Sequence, residues 1–442
     1  MRSILAAALF GVATQAGAAT LALERAQIDR LAALPVGADM VIDNFPDGFG
    51  GSTSLRFKRI DVYATGARII AMAADGEHEL PRSRRIELIG TNAAGDVRAS
   101  LAFDPGFAQL RGAGSSPGGA FAITASNGAK GMLFSVIPAK EALPPGVVPE
   151  IIPNEDGLPS SQPMPDALTL SLVGKTATAN PRAAIVAVDV DRELLVNRFG
   201  GTGNANVSAA TSWIADLFAT MNVMYQRDLN VTLEQGTTIF RVSGTPYSIS
   251  TNMSANSTDL GNFGTYWQDN EASVQRDFTV LLSGQLTGGF SASGIAWINA
   301  YCITSSNGGS YSVNKVFTSS SVGVDLSARL VGHELGHNFG AAHTHCTDVT
   351  TGAYSVATNT IDQCYKGESS SGCYGGAVSC PAGGAGTLMS YCNVGGSNGA
   401  NCGQNALQFH STQITTLSAL IASNTPSCLS ATTDLIFANG FD

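Results

Sequence analysis

The sequence has no cysteine before Cys302, and no Cys-x-x-Cys pair occurs anywhere in its 442 residues. The missing pairs argue against a structural zinc site built from thiolates. All eight cysteines lie between Cys302 and Cys428, and an even number indicates disulfide bonds formed in an oxidising compartment. Eight cysteines can pair in roughly a hundred ways, and their spacing alone does not choose among them.

Charged side chains are also scarce, at 13% of the chain, and the net charge is −10. Nucleic acids and anionic lipid surfaces bind clusters of lysine and arginine, so the composition excludes nucleic-acid partners. No apolar run reaches the ~20 residues that a membrane-spanning helix needs. We therefore expect no stable membrane insertion.

Residues 1–18 have the features of a signal peptide, namely an early positive charge, a short apolar run and the small residues Ala16, Gly17 and Ala18 before the expected cleavage point. The apolar run is too short for a membrane anchor. The sequence thus predicts a secreted, extracellular protein that passes through an oxidising compartment such as the bacterial periplasm.

The chain is longer than one hydrophobic core usually supports, so we expect two folded units. Residues 19–143 carry short alternating segments broken by turn residues, which predicts a small β-rich unit. Residues 144–180 are rich in proline and are interpreted as a linker. Residues 181–430 form the second predicted unit, and residues 431–442 form a short apolar tail.

The second unit alternates predicted strands and helices, which indicates an α/β (α+β) fold with a mixed, twisted sheet. Apolar runs predict the strands, and apolar residues at helical spacing predict the helices. The predicted strands cover 183–189, 231–242, 277–283 and 293–301, and the predicted helices cover 205–227, 406–423 and 325–337, the last with Asp325 as its N-cap.

The pattern that carries chemistry contains His333, Glu334, His337 and His343. His333 and His337 are four residues apart on a predicted helix, so both imidazoles can reach one ion at about 2.0–2.1 Å. A continuing helix would place His343 on another side, whereas Gly340 can adopt the positive φ that turns the chain back. Three neutral imidazoles plus water form an open catalytic zinc site. Glu334 is then positioned to accept a proton from the zinc-bound water.

This motif and the later stretch from Gly386 to Tyr391 resemble the metzincin clan of zinc endopeptidases. The motif is most similar to the adamalysin or reprolysin (ADAM-like) family, and the resemblance covers residues 181–430. It implies a metzincin-like catalytic fold, one catalytic Zn2+, and protein or peptide substrates. Met389 would then form an apolar floor beneath the imidazoles. The resemblance also implies a disulfide bond between Cys302 and Cys428.

Two positions depart from the resembled family. Thr344 follows the third histidine where the family has aspartate, and Tyr391 is similar to the tyrosine of astacins and serralysins. Tyr391 either approaches the zinc ion or the oxyanion of the tetrahedral intermediate, or it packs under the turn that contains Met389, here called the methionine turn. His345 misses the ligand spacing by two residues and is interpreted as a structural or surface residue, with a hydrogen-bonding role behind a zinc ligand or a role as an alternative ligand as the other possibilities. Calcium sites occur in the family, and the sequence assigns no ligands to them.

The resemblance makes the β-rich unit a candidate propeptide, with a permanent accessory domain as the alternative. A cysteine-based latch is excluded because the first cysteine is Cys302, so inhibition would come from a carboxylate, from His78 or from steric cover. We expect a monomeric endopeptidase that holds its substrate as an added strand along residues 294–301. The alternative is a zinc-binding adhesin or toxin-like protein with a vestigial protease site. The C-terminal residues resemble tags on exported proteins of some Gram-negative bacteria.

Overall fold

The computed structural model describes residues 19–104, 110–127, 131–143, 147, 149–153, 181–285, 289–424 and 428–431. The predicted signal peptide, most of the proline-rich segment and residues 432–442 lie outside these ranges. In chain order the strands are β1 (Ala19–Glu24), β2 (Asp39–Pro46), β3 (Ser52–Ile60), β4 (Ile69–Ala73), β5 (Gly76–Leu80), β6 (Ile86–Thr91), β7 (Arg98–Phe103), β8 (Leu110–Ser116), β9 (Gly119–Asn127), β10 (Gly131–Pro138), β11 (Glu150–Ile151), β12 (Arg182–Val190), β13 (Val231–Phe240), β14 (Phe278–Ser283), β15 (Ser291–Ala296), β16 (Tyr311–Lys315) and β17 (Ser430–Ala431). The helices are α1 (Arg25–Ala33), α2 (Arg192–Phe199), α3 (Asn204–Leu229), α4 (Ser257–Asn270), α5 (Val324–Asn338) and α6 (Ser411–Asn424).

The first sheet is antiparallel, with the strand order β1-β10-β9-β8-β7-β6-β3-β2. Alternation of apolar and polar residues explains its strands. In β3, Leu55 and Phe57 are fully buried, whereas Ser54 is exposed and Arg56 is half-buried. An antiparallel sheet with one face on the core shows this pattern.

The second sheet is mixed, with the strand order β11-β15-β16-β14-β12-β13-β4-β5 and β17 beside β12. Strands β13, β12, β14 and β16 are parallel neighbours, whereas β15 runs antiparallel to β16. Helices α3 and α5 pack on one face of this sheet and α4 packs on the other. A strand that is covered on both faces is apolar along its length, which explains the run of apolar residues in β12. The mixed α/β architecture predicted for this part of the chain is consistent with a metallopeptidase domain.

Two predicted elements have different bounds in the structure. The strand expected over 293–301 ends at Ala296, and Asn299 has a φ of 54°, which is incompatible with extended backbone. The helix expected over 406–423 begins only at Ser411. These two elements are therefore shorter than the apolar pattern predicts.

Segments that precede residue 181 supply both outer edges of the second sheet. Strand β4 pairs in parallel with β13, and β5 lies outside it. At the opposite edge, β11 pairs in parallel with β15. The predicted division into 19–143, 144–180 and 181–430 stays a prediction. Strands from the first two ranges pair with strands of the third in one sheet.

Helix α3 lies between the two sheets. It is 26 residues long and buried on most sides, and its apolar residues share one cluster with Ile60, Ile89 and Ala113 of the first sheet. This cluster joins the N-terminal part of the chain to the second sheet. Neither α3 nor any other helix in the described ranges has the length and apolar character needed to cross a membrane.

The eight cysteines form four disulfide bonds. Cys302 is bonded to Cys428, the pair that the resemblance implies, and this bond ties the chain after β15 to the chain after α6. The other pairs lie in the segment that follows the third histidine of the motif, where helices and strands are scarce: Cys346–Cys373, Cys364–Cys392 and Cys380–Cys402. Disulfides stabilise segments that cannot build a sufficient core of their own.

Candidate metal centre

Helix α5 carries the first part of the motif. It begins at Val324 with Gly323 as its N-cap, so the prediction that Asp325 caps the helix is wrong. Asp325 lies instead in the first turn, where the positive end of the helix dipole stabilises a negative charge. Every other residue of α5 is buried. The helix therefore presents His333 and His337, one turn apart, inside the protein.

The three histidines of the motif converge on one point. The Nε2 atom of His337 lies 3.0 Å from Nε2 of His333 and 3.2 Å from Nε2 of His343. Helix α5 ends at Asn338, and Gly340 then has a φ of 104°, a conformation that glycine adopts without strain. The turn at Gly340 brings His343 back to the two helical histidines.

The hydrogen bonds of the three rings define which nitrogen carries the hydrogen atom. The Nδ1 acceptors are Leu388 O for His333 (2.8 Å), Ala341 O for His337 (2.7 Å) and Glu368 Oε2 for His343 (2.9 Å). Carbonyl and carboxylate oxygens only accept, so each Nδ1 donates and each Nε2 carries a lone pair. Three lone pairs cannot hydrogen-bond one another. Their arrangement is complementary to a cation.

The donor set fits zinc. Imidazole nitrogens bound tetrahedrally at about 2.0–2.1 Å lie about 3.3 Å from one another, close to the separations found here. Burial lowers the pKa of His333 to about 3. Burial also lowers the pKa of His337, and the neighbouring imidazoles lower it further. These rings are neutral at physiological pH, as metal ligation requires.

The family model for reprolysin-type enzymes of metallo-peptidase family M12 matches residues 180–405, about half of the chain, including α5 and the three histidines. The chain belongs to metallo-peptidase family M12. M12 peptidases are zinc-dependent hydrolases of peptide bonds, so the expected likeness to reprolysin-like metzincins is confirmed at the level of the family. No curated protein matches the chain.

Glu334 directly follows the metal ligand His333 in the sequence, and its carboxylate is buried. It is 3% exposed, and its Oε2 atom has no hydrogen-bond partner among the described residues. Burial raises the pKa of Glu334 well above the ordinary value. Its side chain lies against Gly294 of β15, where an added Cβ would come within 2.6 Å of Glu334 Cδ and Cγ. Glu334 is therefore held between α5 and the strand at the edge of the sheet.

Glu368 lies behind the metal ligands. It was not predicted from the sequence as a residue of the site. Its Oε2 atom accepts hydrogen bonds from His343 Nδ1 at 2.9 Å and from His345 Nε2 at 3.1 Å. His345 is fully buried, so a surface role is wrong, and the alternative of a hydrogen-bonding role behind a zinc ligand fits its position. Glu368 precedes Cys373, whose disulfide bond with Cys346 returns the chain to His343. Without that pairing, no local pattern connects the glutamate to the site.

The ionised form of Glu368 is favoured at this position. Burial by itself raises its pKa, but the hydrogen bonds and charge interactions with His343 and His345 outweigh burial and hold the pKa well below the ordinary value. Burial lowers the pKa of His345 although Glu368 opposes that shift. An ionised carboxylate that accepts from two ring N–H groups orients both rings.

The floor of the centre is formed by the methionine turn. Met389 is fully buried, and a Cβ added to Gly336 would lie 2.6 Å from its Sδ atom, so the thioether packs against α5 between the two helical histidines. The Tyr391 ring lies 4.2 Å from the His343 ring and stacks 5.8 Å from the His333 ring, measured between centroids. Tyr391 thus packs against two of the imidazoles.

Strand β11 lies on the outer edge of β15, which contains Gly294. The strand predicted to hold substrate therefore already has a neighbour in this structure. The hydrogen bonds are Glu150 N to Phe290 O (3.0 Å), Ile152 N to Ala292 O (2.8 Å) and Ser293 Oγ to Ile152 O (3.0 Å).

His78, one of the groups considered as an inhibitor, lies in β5 at the far edge of the sheet. It is exposed there and bonded to Asp75 at 2.8 Å. The prediction that His78 could block the metal centre is wrong.

Proposed function

We propose that this chain is a secreted, zinc-dependent endopeptidase in which His333, His337 and His343 hold the zinc ion and Glu334 is the general base. The observation that carries the proposal is the convergence of three buried Nε2 atoms, together with Glu334, which lines the same cavity as His333 and has an oxygen without a partner among the described residues. Buried polar atoms without partners are costly. A zinc ion and its bound water would satisfy them.

Zinc in this site would polarise the scissile carbonyl and lower the pKa of a bound water from ~15.7 to ~7. Glu334 would take a proton from a water molecule at this site and pass it to the leaving amine. Because Glu334 is held against Gly294, its carboxylate is positioned before the substrate binds. Glu368 holds the His343 ring in the orientation that turns Nε2 toward the other imidazoles, where it would bind the ion.

The catalytic test compares the full chain with Glu334→Gln. Wild type is expected to degrade casein and to lose this activity with a strong chelator, whereas Glu334→Gln is expected to bind the same amount of zinc and to cleave nothing. Zinc content measured by atomic absorption separates loss of the base from loss of the metal. Casein cleavage that survives either Glu334→Gln or the chelator would overturn the proposal.

Strand β15 supports a substrate-binding role for the edge predicted at 294–301, because an extended peptide can add to an exposed sheet edge. The β11 segment occupies the part of the β15 edge that precedes Gly294, where Phe290 O and Ala292 O accept hydrogen bonds from Glu150 N and Ile152 N. A substrate strand that extends along β15 would therefore compete with the β11 segment. We infer that residues 19–143 are a propeptide and that the β11 segment provides steric cover. A permanent accessory domain is the alternative.

Two proline variants test this cover. Ile152→Pro removes the N–H that donates to Ala292, and proline cannot donate to a ladder. Ile151→Pro is the matched control, because Glu150 N and Ile152 N both donate to β15 and the residue between them in a parallel ladder points its N–H to the other side. The secreted Ile152→Pro chain is expected to cleave casein faster than the Ile151→Pro chain. Equal rates would remove the support for occlusion, and N-terminal sequencing of the secreted wild type would show whether residues 19–143 are cut away.

A second candidate is a zinc-binding adhesin or toxin-like protein whose protease site is vestigial. The retention of Glu334 with the three histidines, Gly340 and Met389 argues against it. Equal target binding by wild type and by Glu334→Ala, with cleavage products from neither, would favour this alternative.

Secretion is part of the proposal, and the predicted signal peptide over residues 1–18 and the four disulfide bonds support it. We expect a monomer that passes through an oxidising compartment such as a bacterial periplasm. Size-exclusion chromatography with light scattering of the secreted chain tests the oligomeric state.

A further inference from the structure

A cavity of about 70 Å³ opens beside His333 and Glu334. Helix α5 forms one wall, β15 and the β11 segment form a second, and the chain around Leu388–Tyr391 and Gln404–Asn405 forms the third. Because the proposed general base lines the cavity, a substrate side chain near the cleaved bond would enter it.

Most of the cavity lining is apolar, but it contains one cation. Arg329 carries the single positive charge among the described residues that line the cavity. It lies on α5 one helical turn, about 6 Å along the axis, before His333. Its side chain is 9% exposed. The apolar residues of the lining include Phe317, Leu326, Leu330 and Leu388.

The guanidinium of Arg329 is only partly satisfied. Its Nη1 atom donates to the carbonyl of Asn405. Its Nε and Nη2 atoms are buried and have no hydrogen-bond partner among the described residues. Nε and Nη2 form the side edge of the guanidinium, whose two parallel N–H groups match the two oxygens of a carboxylate. Arg329 lines the cavity, and this buried edge of its guanidinium has no carboxylate of the described residues within hydrogen-bonding distance.

Asp325 does not fill this site. Its Oδ2 atom lies 3.8 Å from Arg329 Nη2, which is too long for a hydrogen bond. The β11 segment does not fill it either, since Ile151 and Ile152 line the cavity while Glu150 is exposed. The cost of burying the unpaired N–H groups would be removed by an acceptor on the substrate.

We propose that Arg329 makes this pocket select an acidic substrate side chain, with glutamate preferred because the guanidinium lies a full helical turn from the metal ligand. The proposal rests on the proteolytic function proposed above. Two amide oxygens, of Gln404 and Asn405, also lack partners and would favour the amide of glutamine. A charge-assisted bidentate bond is about twice as strong as a neutral one. We therefore expect the pocket to bind the carboxylate of glutamate more tightly than the amide of glutamine.

The experiment uses the full secreted chain, with and without Ile152→Pro so that cover by β11 does not limit access. Digestion of a peptide library, read by mass spectrometry, gives the position relative to the cleaved bond at which glutamate is enriched. Twin peptides that carry glutamate or glutamine at that position are then compared by kcat/KM. The twins have the same size, so their ratio isolates the charge.

Wild type is expected to cleave the glutamate peptide at least about tenfold better than its twin, the effect of one charge-assisted hydrogen bond. Arg329→Met should bring this ratio to about one, and Arg329→Lys should retain part of it, since lysine keeps the charge without the fork. Because each ratio is taken within one variant, a smaller folded fraction does not alter it.

Equal cleavage of the twins by wild type, a preference for glutamine, or an unchanged ratio in Arg329→Met would overturn the pocket proposal and leave the proteolytic function standing. Failure of both wild type and the Ile152→Pro chain to cleave any peptide would overturn the proteolytic function, and the pocket proposal with it.

Discussion

Gly294→Ala is expected to lower kcat about 100-fold while leaving zinc bound. An added Cβ would overlap Glu334 Oε1 and lie 2.6 Å from Cδ and Cγ, whereas carbon atoms in normal contact are about 3.5–4.0 Å apart. The carboxylate must therefore move by roughly 1 Å, and a misplacement of that size near the reacting atoms costs about 100-fold, or ~2.7 kcal/mol of barrier. Gly294 lacks a positive φ, so alanine fits its backbone and the contact with Glu334 is isolated.

The assay measures kcat on a quenched fluorescent peptide together with zinc content. The matched control is Gly261→Ala in α4, where an added Cβ meets nothing within 4 Å. This control should leave kcat unchanged and stabilise the fold by about 1 kcal/mol, because alanine replaces glycine inside a helix. A kcat within about threefold of wild type for Gly294→Ala would refute the reasoning about Glu334, and a loss of zinc would show that the methyl group disturbs the metal ligands instead.

Three further predictions concern the surroundings of the site. Glu368→Gln should weaken zinc binding about 10- to 100-fold, because removing the hydrogen-bond partner of a metal ligand has an effect of this size. Zinc affinity is measured by competition with a chromogenic chelator, and an unchanged affinity would contradict the role assigned to Glu368. Gly340→Val should also lower zinc affinity in that assay. The φ of Gly340 is 104°, and the new side chain would overlap Leu420. The turn before His343 would therefore be strained by about 1–3 kcal/mol. Burial raises the pKa of Asp191 from 3.8 to about 7. The folded value lies above the unfolded one, so wild type should lose up to about 4 kcal/mol of stability as pH rises from 4 to 7. Asp191→Asn should flatten this dependence in urea unfolding, and parallel curves for the two chains would show that another group is responsible.

The parts of the protein that follow local periodicity were accessible from the sequence. Helix α3 and strands β12, β13 and β14 lie within a few residues of their predicted bounds, because apolar spacing reflects burial of one face or of both faces. His333, His337 and His343 could also be brought together by reasoning, since their spacing is a property of one helix and one glycine turn.

The parts that depend on contacts between distant segments were not accessible. Glu368 reaches His343 through a disulfide-bonded loop, and no spacing rule connects the two residues. The pairing of β11 with β15 joins segments about 140 residues apart, and strand pairing depends on tertiary context rather than on the sequence of either strand. Arg329 occupies an ordinary helical position in the sequence, and its burial depends on the chain near Asn405 that folds across it.

All four disulfide bonds join residues from Cys302 onward, so a cut within residues 154–180 would leave two pieces without a covalent link between them. The pieces would still share the apolar cluster around α3 and the pairing of β4 with β13. Cutting and separation are therefore two steps. The lifetime of the nicked, noncovalent complex, rather than the cut itself, would determine when the edge of β15 becomes free.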